Sequence, residues 1–441
     1  MILTGWWQTA ISQAIEGVVK GADGEALPGA TLLLKEKGIG TAADEQGRFS
    51  LGNVPPGAYK LRISYLGYEP QVQRLQITGD QAVNLEVKLR EEAEALDDVV
   101  VTATRTARAV DEIPVPVQLI DNEQIERIGS LRLDEVLQEQ TGLQMISDHG
   151  SGLQMQGLSS DYILILIDGE PVIGRTAGTI DLSRLTVNNI ERIEIIRGPS
   201  SSLYGSEAMA GVVNIITKGN DIGWQGSLGT QYRSFNTLDA QVDAGFRNER
   251  LSVRMFANRL SSQGYDLTPE SVSQTLAPYQ AFTLGPKLSY KISEQLQLNI
   301  SSRFYRESSN DQLDLNIDGA DTRLNSFNQR SDWNVLPVLE FRPNERHKLQ
   351  LRQYLSGYET LSELTYGEGG ASYDLSTFHQ TFQRSEAQYD WYQSDAHIIT
   401  AGAGYLGEDV EATRYADDNR FTSTYAFAQS QWQPSDRWNV V

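Results

Sequence analysis

The side chains with most chemical scope in this chain are four histidines, His149, His347, His379 and His397, and the Ser/Gly-rich stretch RGPSSSLYGSEAMAG from Arg197 to Gly211. No two histidines stand at a metal-ligating spacing such as HExxH. Cysteine is absent, which removes thiol nucleophiles, thiolate metal sites and disulfides together. His347, His379 and His397 sit in segments of alternating polarity, where a pleat or turn position suits them better than ligation, whereas His149 in DHGSG belongs to a loop. A phosphate-cradling loop needs glycines followed by Lys and Ser/Thr at a helix start. Here Gly205 is followed by Ser206 and Glu207, with no lysine before Lys218, and a carboxylate in that seat repels the anion. The stretch reads instead as a connection. Pro199 ends the strand IERIEII, SEAMAG makes a short helix or turn, and VVNIIT is the next strand. Asp168 and Gly169 in LIDGEP have turn chemistry. DLNIDG, Asp314 to Gly319, opens like a calcium loop, but position 12 of that frame is Asn325 and not the bidentate glutamate, so a solvated acidic loop is expected. With no Ser/His/Asp constellation either, no catalytic residue and no metal ligand is assigned.

Composition bounds the elements that carry these residues. A chain of 441 residues is long enough for about three domains, although barrels run longer as one unit. Lys+Arg 37 against Asp+Glu 58 give a net charge of -21, which argues against nucleic acid as a partner and leaves no broad basic face. No window approaches the ~18 apolar residues of a membrane helix, so integral contact with a bilayer would need a barrel. The first residues, MILTGWWQTAISQAIEG, are moderately apolar and end in small side chains but lack the basic region of a secretory signal. They read either as the remnant of a signal that starts upstream or as a non-native start.

Four segments follow. Residues 16–89 alternate in short strands separated by turn chemistry, ADGEALPG, DEQGRFS, NVPPGAYKL and ITGDQA, with Tyr59, Leu61, Ile63 and Tyr65 on one face. This predicts a small β-sandwich. The ordered patterns GxVxxxxGxxLPGAxL, DxxGxFxL and VPPGxYxL make the segment resemble the carboxypeptidase-regulatory-like domain found before many outer-membrane receptors. No catalysis follows, because no His or Cys precedes His149 and a zinc peptidase site cannot be assembled there. Residues 90–112 are a charged linker holding one short β-branched run, a strand that by itself is either an ordinary connection or an edge for pairing with another protein.

Residues 113–219 contain PVPVQLIDNEQIERIGSLRLDEVLQEQTGLQM, then GLSSDYILILIDGEPV, then NNIERIEIIRGPSSSLYGSEAMAGVVNIITKG. This order of motifs resembles the plug of a TonB-dependent outer-membrane receptor. The resemblance implies that DDVVVTAT, that is Asp97, Asp98, Val99, Val100, Val101, Thr102, Ala103 and Thr104, is the TonB box that pairs with the energy-transducing partner. It further implies that cargo meets loops at the plug apex, with Ser147, Asp148, His149, Arg175, Thr176, Thr179 and Tyr204 as contacts, Arg175 offering a fork to an anionic oxygen. Arg197 in IIRGP takes the place of a plug-to-barrel contact. At Gln156-Gly157, where the family commonly has Arg-Gly, the chain departs from the pattern.

Residues 220–441 change to period-two segments rich in Tyr, Phe and Trp, each near the ~9 to 11 residues of a membrane-crossing strand. Roughly ten strands are legible. Connections alternate between short ones such as RNE, SEQ and RPNER and long polar ones at 261–278, 307–329, 359–376 and 408–422, the pattern of an outer-membrane barrel. A barrel of this kind has about 22 strands, so the chain is expected to be the N-terminal part of a longer receptor. The expected fold class is therefore mainly β: an N-terminal β-sandwich, an α+β plug, then part of a transmembrane antiparallel barrel.

The function implied by the resemblance is energy-coupled import of a scarce nutrient, with no covalent chemistry and no cofactor. An iron-siderophore complex is the expected cargo, with cobalamin, an oligosaccharide or a peptide as alternatives, and a passive channel as the rival class. The implied partners are a TonB-type protein, outer-membrane lipid and the small-molecule cargo. The implied place is the outer membrane of a Gram-negative cell, with sandwich and TonB box in the periplasm.

Overall fold

The computed structural model describes residues 13–21, 24–34, 39–65, 68–77, 83–89, 117–147, 150–198, 205–270, 272–367, 370–394, 396–414, 419–435 and 438–440. The chain divides into two compact units, within residues 1–100 and within 101–441.

The first unit is a sandwich of a three-stranded sheet, Arg48–Val54, Gln13–Lys20 and Val83–Lys88, and a four-stranded sheet, Ile39–Ala42, Thr31–Leu34, Gly57–Tyr65 and Tyr68–Ile77. Alternation in Gly57–Tyr65 drives Tyr59, Leu61 and Ile63 inward. They meet Ile15, Val19, Leu32, Leu34 and Phe49 in a core complete within this unit. A first and last strand that lie side by side, in parallel, close it off.

The second unit begins with a five-stranded mixed sheet in the order Glu170–Pro171, Ile163–Ile167, Gly211–Thr217, Ile190–Arg197 and Val117–Asp121. ILILI and GVVNIIT are buried on both faces, as continuous apolar runs require. Two short helices pack on the sheet. In Asn122–Ile128, Asp121 caps the N-terminus by accepting from Gln124 N at 2.7 Å, and Gly129, at φ 71°, takes the left-handed position that ends it. In Leu133–Gln138, Leu133, Val136 and Leu137 enter the same core as Ile163, Ile193 and Val213.

The remainder is one antiparallel sheet of eleven strands in sequence order, from Gly223–Arg233 to Trp438–Val440. Its concave side holds the plug. Trp224, Leu228, Leu284, Phe304, Trp333, Leu351, Tyr389 and Trp432 are exposed on the other side, an apolar and aromatic band of the kind a bilayer covers. The sheet corrects the expected loops. Residues 307–329 and 359–376 are mostly strand, because Leu296–Ile317 pairs with Ala320–Asn344 without interruption from Leu296↔Phe341 to Ile317↔Ala320. Only Asp318 and Gly319, at φ 52° and 85°, turn the hairpin, as a two-residue turn demands. The same pairing removes the calcium frame, since Asp314 is held by Arg323 across the hairpin at 3.1 Å. Strands of 22 and 25 residues run well beyond the ~9 to 11 that cross hydrocarbon, so the long connections are projecting ribbons.

Since the sandwich owns its core, residues 13–89 expressed alone are expected to unfold in one cooperative transition. Leu61→Ala, at a site with no solvent exposure, should lower its stability by about 2–5 kcal/mol, read by urea denaturation. A non-cooperative transition in the parent fragment would show that the core depends on the second unit.

Candidate functional site

The loops singled out in the sequence meet at one end of the plug. Leu143–Ser147 and Ser151–Met155 form a hairpin in which Ser147 opposes Ser151. Arg175–Thr176 and Thr179–Ile180 form another around Ala177 and Gly178, at φ 48° and 84°. Asp181 joins them by accepting from Ser151 N and Ser183 N, both at 3.1 Å. Gly152 is needed there, because a Cβ would stand 2.6 Å from Thr179 Cγ2. Ser147 is exposed, Thr176 half-buried and Thr179 buried. Asp148, His149 and Tyr204 lie outside the described residues, as does the stretch Asp97 to Thr104.

Arg175 differs from its expected role. Its guanidinium donates to the carbonyls of Ser160 at 2.8 Å and of Gly178 and Ile163 at 3.0 Å, and stands 3.5 Å from Glu207. The Ser160 carbonyl also accepts the Ile163 N–H that closes the short 3-10 turn Ser160–Tyr162, so the arginine adds a second donor there and ties the turn to the hairpin. It binds the loop to the plug where an anion fork was expected.

Below these loops the plug is fastened to the inner face of the barrel wall by charge. Arg132 reaches Glu307 at 3.3 Å, Glu307 pairs with Arg330, and Arg330 pairs with Asp181. Tyr305 donates its hydroxyl to Glu307 at 2.7 Å. A second group centres on Asp332, which takes Arg303 from the wall and Arg184 from the plug, the latter at 3.4 Å. Arg184 is 1% exposed, lies over the Tyr358 ring at 4.7 Å, and accepts from Arg303 through its own carbonyl at 2.7 Å. A third joins Glu170, 2% exposed, to Arg352 at 2.9 Å and to Arg384. Neutral bonds add to the seam: Tyr354 donates to Pro171 O and Gly174 N to Gln380, each at 2.9 Å. Gly174 packs so closely on Tyr358 that a Cβ would sit 2.4 Å from the ring. Burial by itself would raise the Asp181 pKa; the Arg330 charge and the bonds from Ser183 and Ser151 outweigh it and bring it down to about 2.

Arg197, expected as a plug-to-barrel contact, bonds to Gln118 and the Thr141 carbonyl. Both partners belong to the plug, because the residue ends a strand whose neighbour is Val117–Asp121. Among the described residues, charged contacts with the wall are made by Arg132, Glu135, Asp168, Glu170, Asp181 and Arg184, none of which sequence reasoning assigned that role. A signal for their partners was present: in RFYRE and RSD, Arg303, Tyr305 and Glu307, then Arg330 and Asp332, recur every second residue, which puts them on one face of a strand. Gln156 and Gly157, at φ 52° and 79°, make the two-residue turn between Met155 and Leu158.

Comparison with known proteins agrees with this architecture. Residues 109–212 match the TonB-dependent Receptor Plug Domain family and residues 15–101 the CarboxypepD_reg-like domain family. The Vitamin B12 transporter BtuB of Vibrio cholerae is 31% identical over 183 residues, 40% of this chain and 30% of the relative. Among solved structures, the pyoverdine outer membrane receptor FpvA of Pseudomonas aeruginosa PAO1 superposes with a TM-score of 0.54 at 10% identity, over 78% of this chain and 64% of that one. A mutant of the ferric enterobactin receptor PfeA of Pseudomonas aeruginosa superposes with a TM-score of 0.58 at 17% identity, over 77% and 57%. At such identities the superpositions carry the fold alone. The chain thus spans less than two thirds of the length of each of these relatives.

Glu307 holds two arginines, so Glu307→Ala is expected to leave Arg132 and Arg330 buried without it and to weaken plug seating by about 3–5 kcal/mol. The check is faster protease cleavage within residues 113–219, with the barrel wall resistant. Acid should act through Asp181 in a set window. A carboxylate whose folded pKa lies below its ordinary value of about 4 contributes fully above that value and loses its contribution as pH falls towards 2. Plug protection should be the same at neutral pH and at ~pH 5, with loosening through this group only below ~pH 4.

Proposed function

From a chain that carries the plug domain of TonB-dependent receptors behind a CarboxypepD_reg-like domain, on an antiparallel sheet with the fold of those receptors, we propose the plug, box and wall of an energy-coupled importer in the outer membrane. The observation that carries this reading is the seam itself. A plug with its own core, held against the wall by ion pairs and hydrogen bonds, blocks the lumen and can leave it without exposing a large apolar surface. A passive channel has no use for such a body.

In this reading the end with short turns at 248–250, 293–295 and 345–346 faces the periplasm and the long ribbons face outward. Cargo rests on the loops around Ser147, Asp148, His149, Thr176, Thr179 and Tyr204. Arg175 keeps that surface in shape. Thr179, being buried, acts through the hairpin it holds. Asp97 to Thr104 lends a strand edge to a TonB-type partner, which adds a strand and pulls. No step makes or breaks a covalent bond.

An iron-siderophore complex is the proposed cargo, supported by the fold shared with receptors for pyoverdine and enterobactin. Cobalamin is the second reading, favoured by the 31% identity over 183 residues to a vitamin B12 transporter. Uptake of labelled ferric siderophores and of labelled cobalamin by cells expressing the receptor separates them.

Deleting Asp97 to Thr104 should abolish uptake while surface binding of cargo stays nearly intact, because a strand that pairs with the partner does not touch the ligand. Val100→Pro should do the same, since proline removes a ladder donor. Undiminished uptake in the deletion strain would sink the proposed coupling.

A further inference from the structure

The outer face of the sheet carries a feature that transport does not use. Leu228, Val242, Ala257, Leu284 and Phe304 stand directly opposite one another across five successive strands. The row one pleat further towards the ribbons is Ala240, Arg259, Phe282 and Arg306, also in direct opposition. Two alanines between bulky neighbours leave an open groove of about 490 Å³ whose floor and sides are these apolar side chains. An arginine stands on each side of Phe282 at its ribbon end.

Those arginines are exposed, and among the described residues neither is paired with a carboxylate. Arg259 rests over the Phe282 ring at 5.7 Å, and Arg306 donates to Gln329 at 2.6 Å. In a chain of net charge -21, two such cations two strands apart are a local exception. With strands ~4.8 Å apart, their backbones are about 10 Å from each other, within reach of one shared anion. Their height also fits. Arg259 is eight positions along from Leu251 and Arg306 ten from Leu296. At ~3.3 Å per residue and a tilt of ~40°, these become ~20 and ~25 Å above the short-turn end, against an apolar band of ~25 Å. The groove lies within the hydrocarbon layer and the guanidinium groups at its outer boundary.

We propose that this groove binds a membrane lipid with a phosphate headgroup, one acyl chain along Leu228, Val242, Ala257 and Leu284 and the phosphate between Arg259 and Arg306. The inference rests on the outer-membrane reading given above. Charge complementarity selects phosphate, and the apolar floor selects a lipid over the free ion. Arginine suits the role because its fork gives paired charge-assisted bonds to phosphate oxygens at the interface.

The test is lipid retention by the full-length receptor, reconstituted in phosphatidylcholine vesicles with a minor fraction of phosphatidic acid of the same acyl chains. After extraction in detergent, the two lipids carried by the protein are quantified. Phosphatidic acid should be enriched about tenfold over its bulk ratio, and Arg259→Gln/Arg306→Gln should return it to the bulk ratio. Ala257→Phe, which fills the groove and leaves both arginines, should lower retention too. Equal retention in parent and double variant, displacement of the lipid by inorganic phosphate alone, or a dimer that buries the groove would each overturn the lipid site. Protease protection and heat-modifiable migration are read on the same samples. A chain without a protected sheet would contradict the membrane reading and the lipid site together, whereas a protected sheet that retains both lipids at the bulk ratio overturns the lipid site alone.

Discussion

Charge buried between plug and wall is the constraint on which the second unit depends. Arg303, Glu307, Arg330, Asp332, Arg352 and Arg384 point from the wall to its concave side, and each meets an opposite charge there. Removing such groups from water costs several kcal/mol apiece unless partners and hydrogen bonds compensate. The wall therefore cannot present this face to a low-dielectric interior alone, and Arg184 at 1% exposure cannot be buried without Asp332. Each body supplies what the other requires.

The same constraint shapes what the plug can do. Its core, from Ile120 and Leu133 to Ile165, Ile193 and Val213, closes within the plug itself, so hydrophobic burial keeps it folded while ion pairs hold it in place. Among the described residues, apolar contact across the seam is limited to two small clusters, Ile173 against Leu336, Tyr354, Tyr358 and Phe382, and Leu131 against Leu260, Ala281 and Tyr305. If water enters, charged groups on both sides become solvated and little apolar area is exposed. A seam of that chemistry holds firmly when dry and parts at modest cost when wet, as the proposed importer requires.

Much of the architecture was legible because it follows from local rules. The sandwich announced itself through turns such as Pro55-Pro56-Gly57 and the alternation Tyr59, Leu61, Ile63; the plug sheet through ILILI and GVVNIIT; the wall through its aromatic period-two segments. What stayed hidden depends on pairing between distant residues. Strands through 307–329 and 359–376 look polar because both faces of a ribbon beyond the membrane are wet, so hydropathy marks them as loops although register continues to Ile317↔Ala320. Arg175 and Arg197 could be placed in their loops, but whether a guanidinium faces a ligand, a wall or its own carbonyls depends on neighbours 3 to 79 positions away along the chain.

Coupling across the seam is measured most directly by a double-mutant cycle on Arg184 and Asp332, using Arg184→Met, Asp332→Leu and both together in the membrane-inserted protein. Hydrogen exchange of the plug strand Gly211–Thr217 gives the free energy of opening for each. Asp332→Leu leaves the buried Arg184 without its carboxylate, whereas Arg184→Met leaves Asp332 with Arg303, so replacing Arg184 should cost less once Asp332 is gone, with a coupling energy of at least about 1.5 kcal/mol. Additive effects, with coupling near zero, would contradict the claim that buried charge holds the plug on the wall.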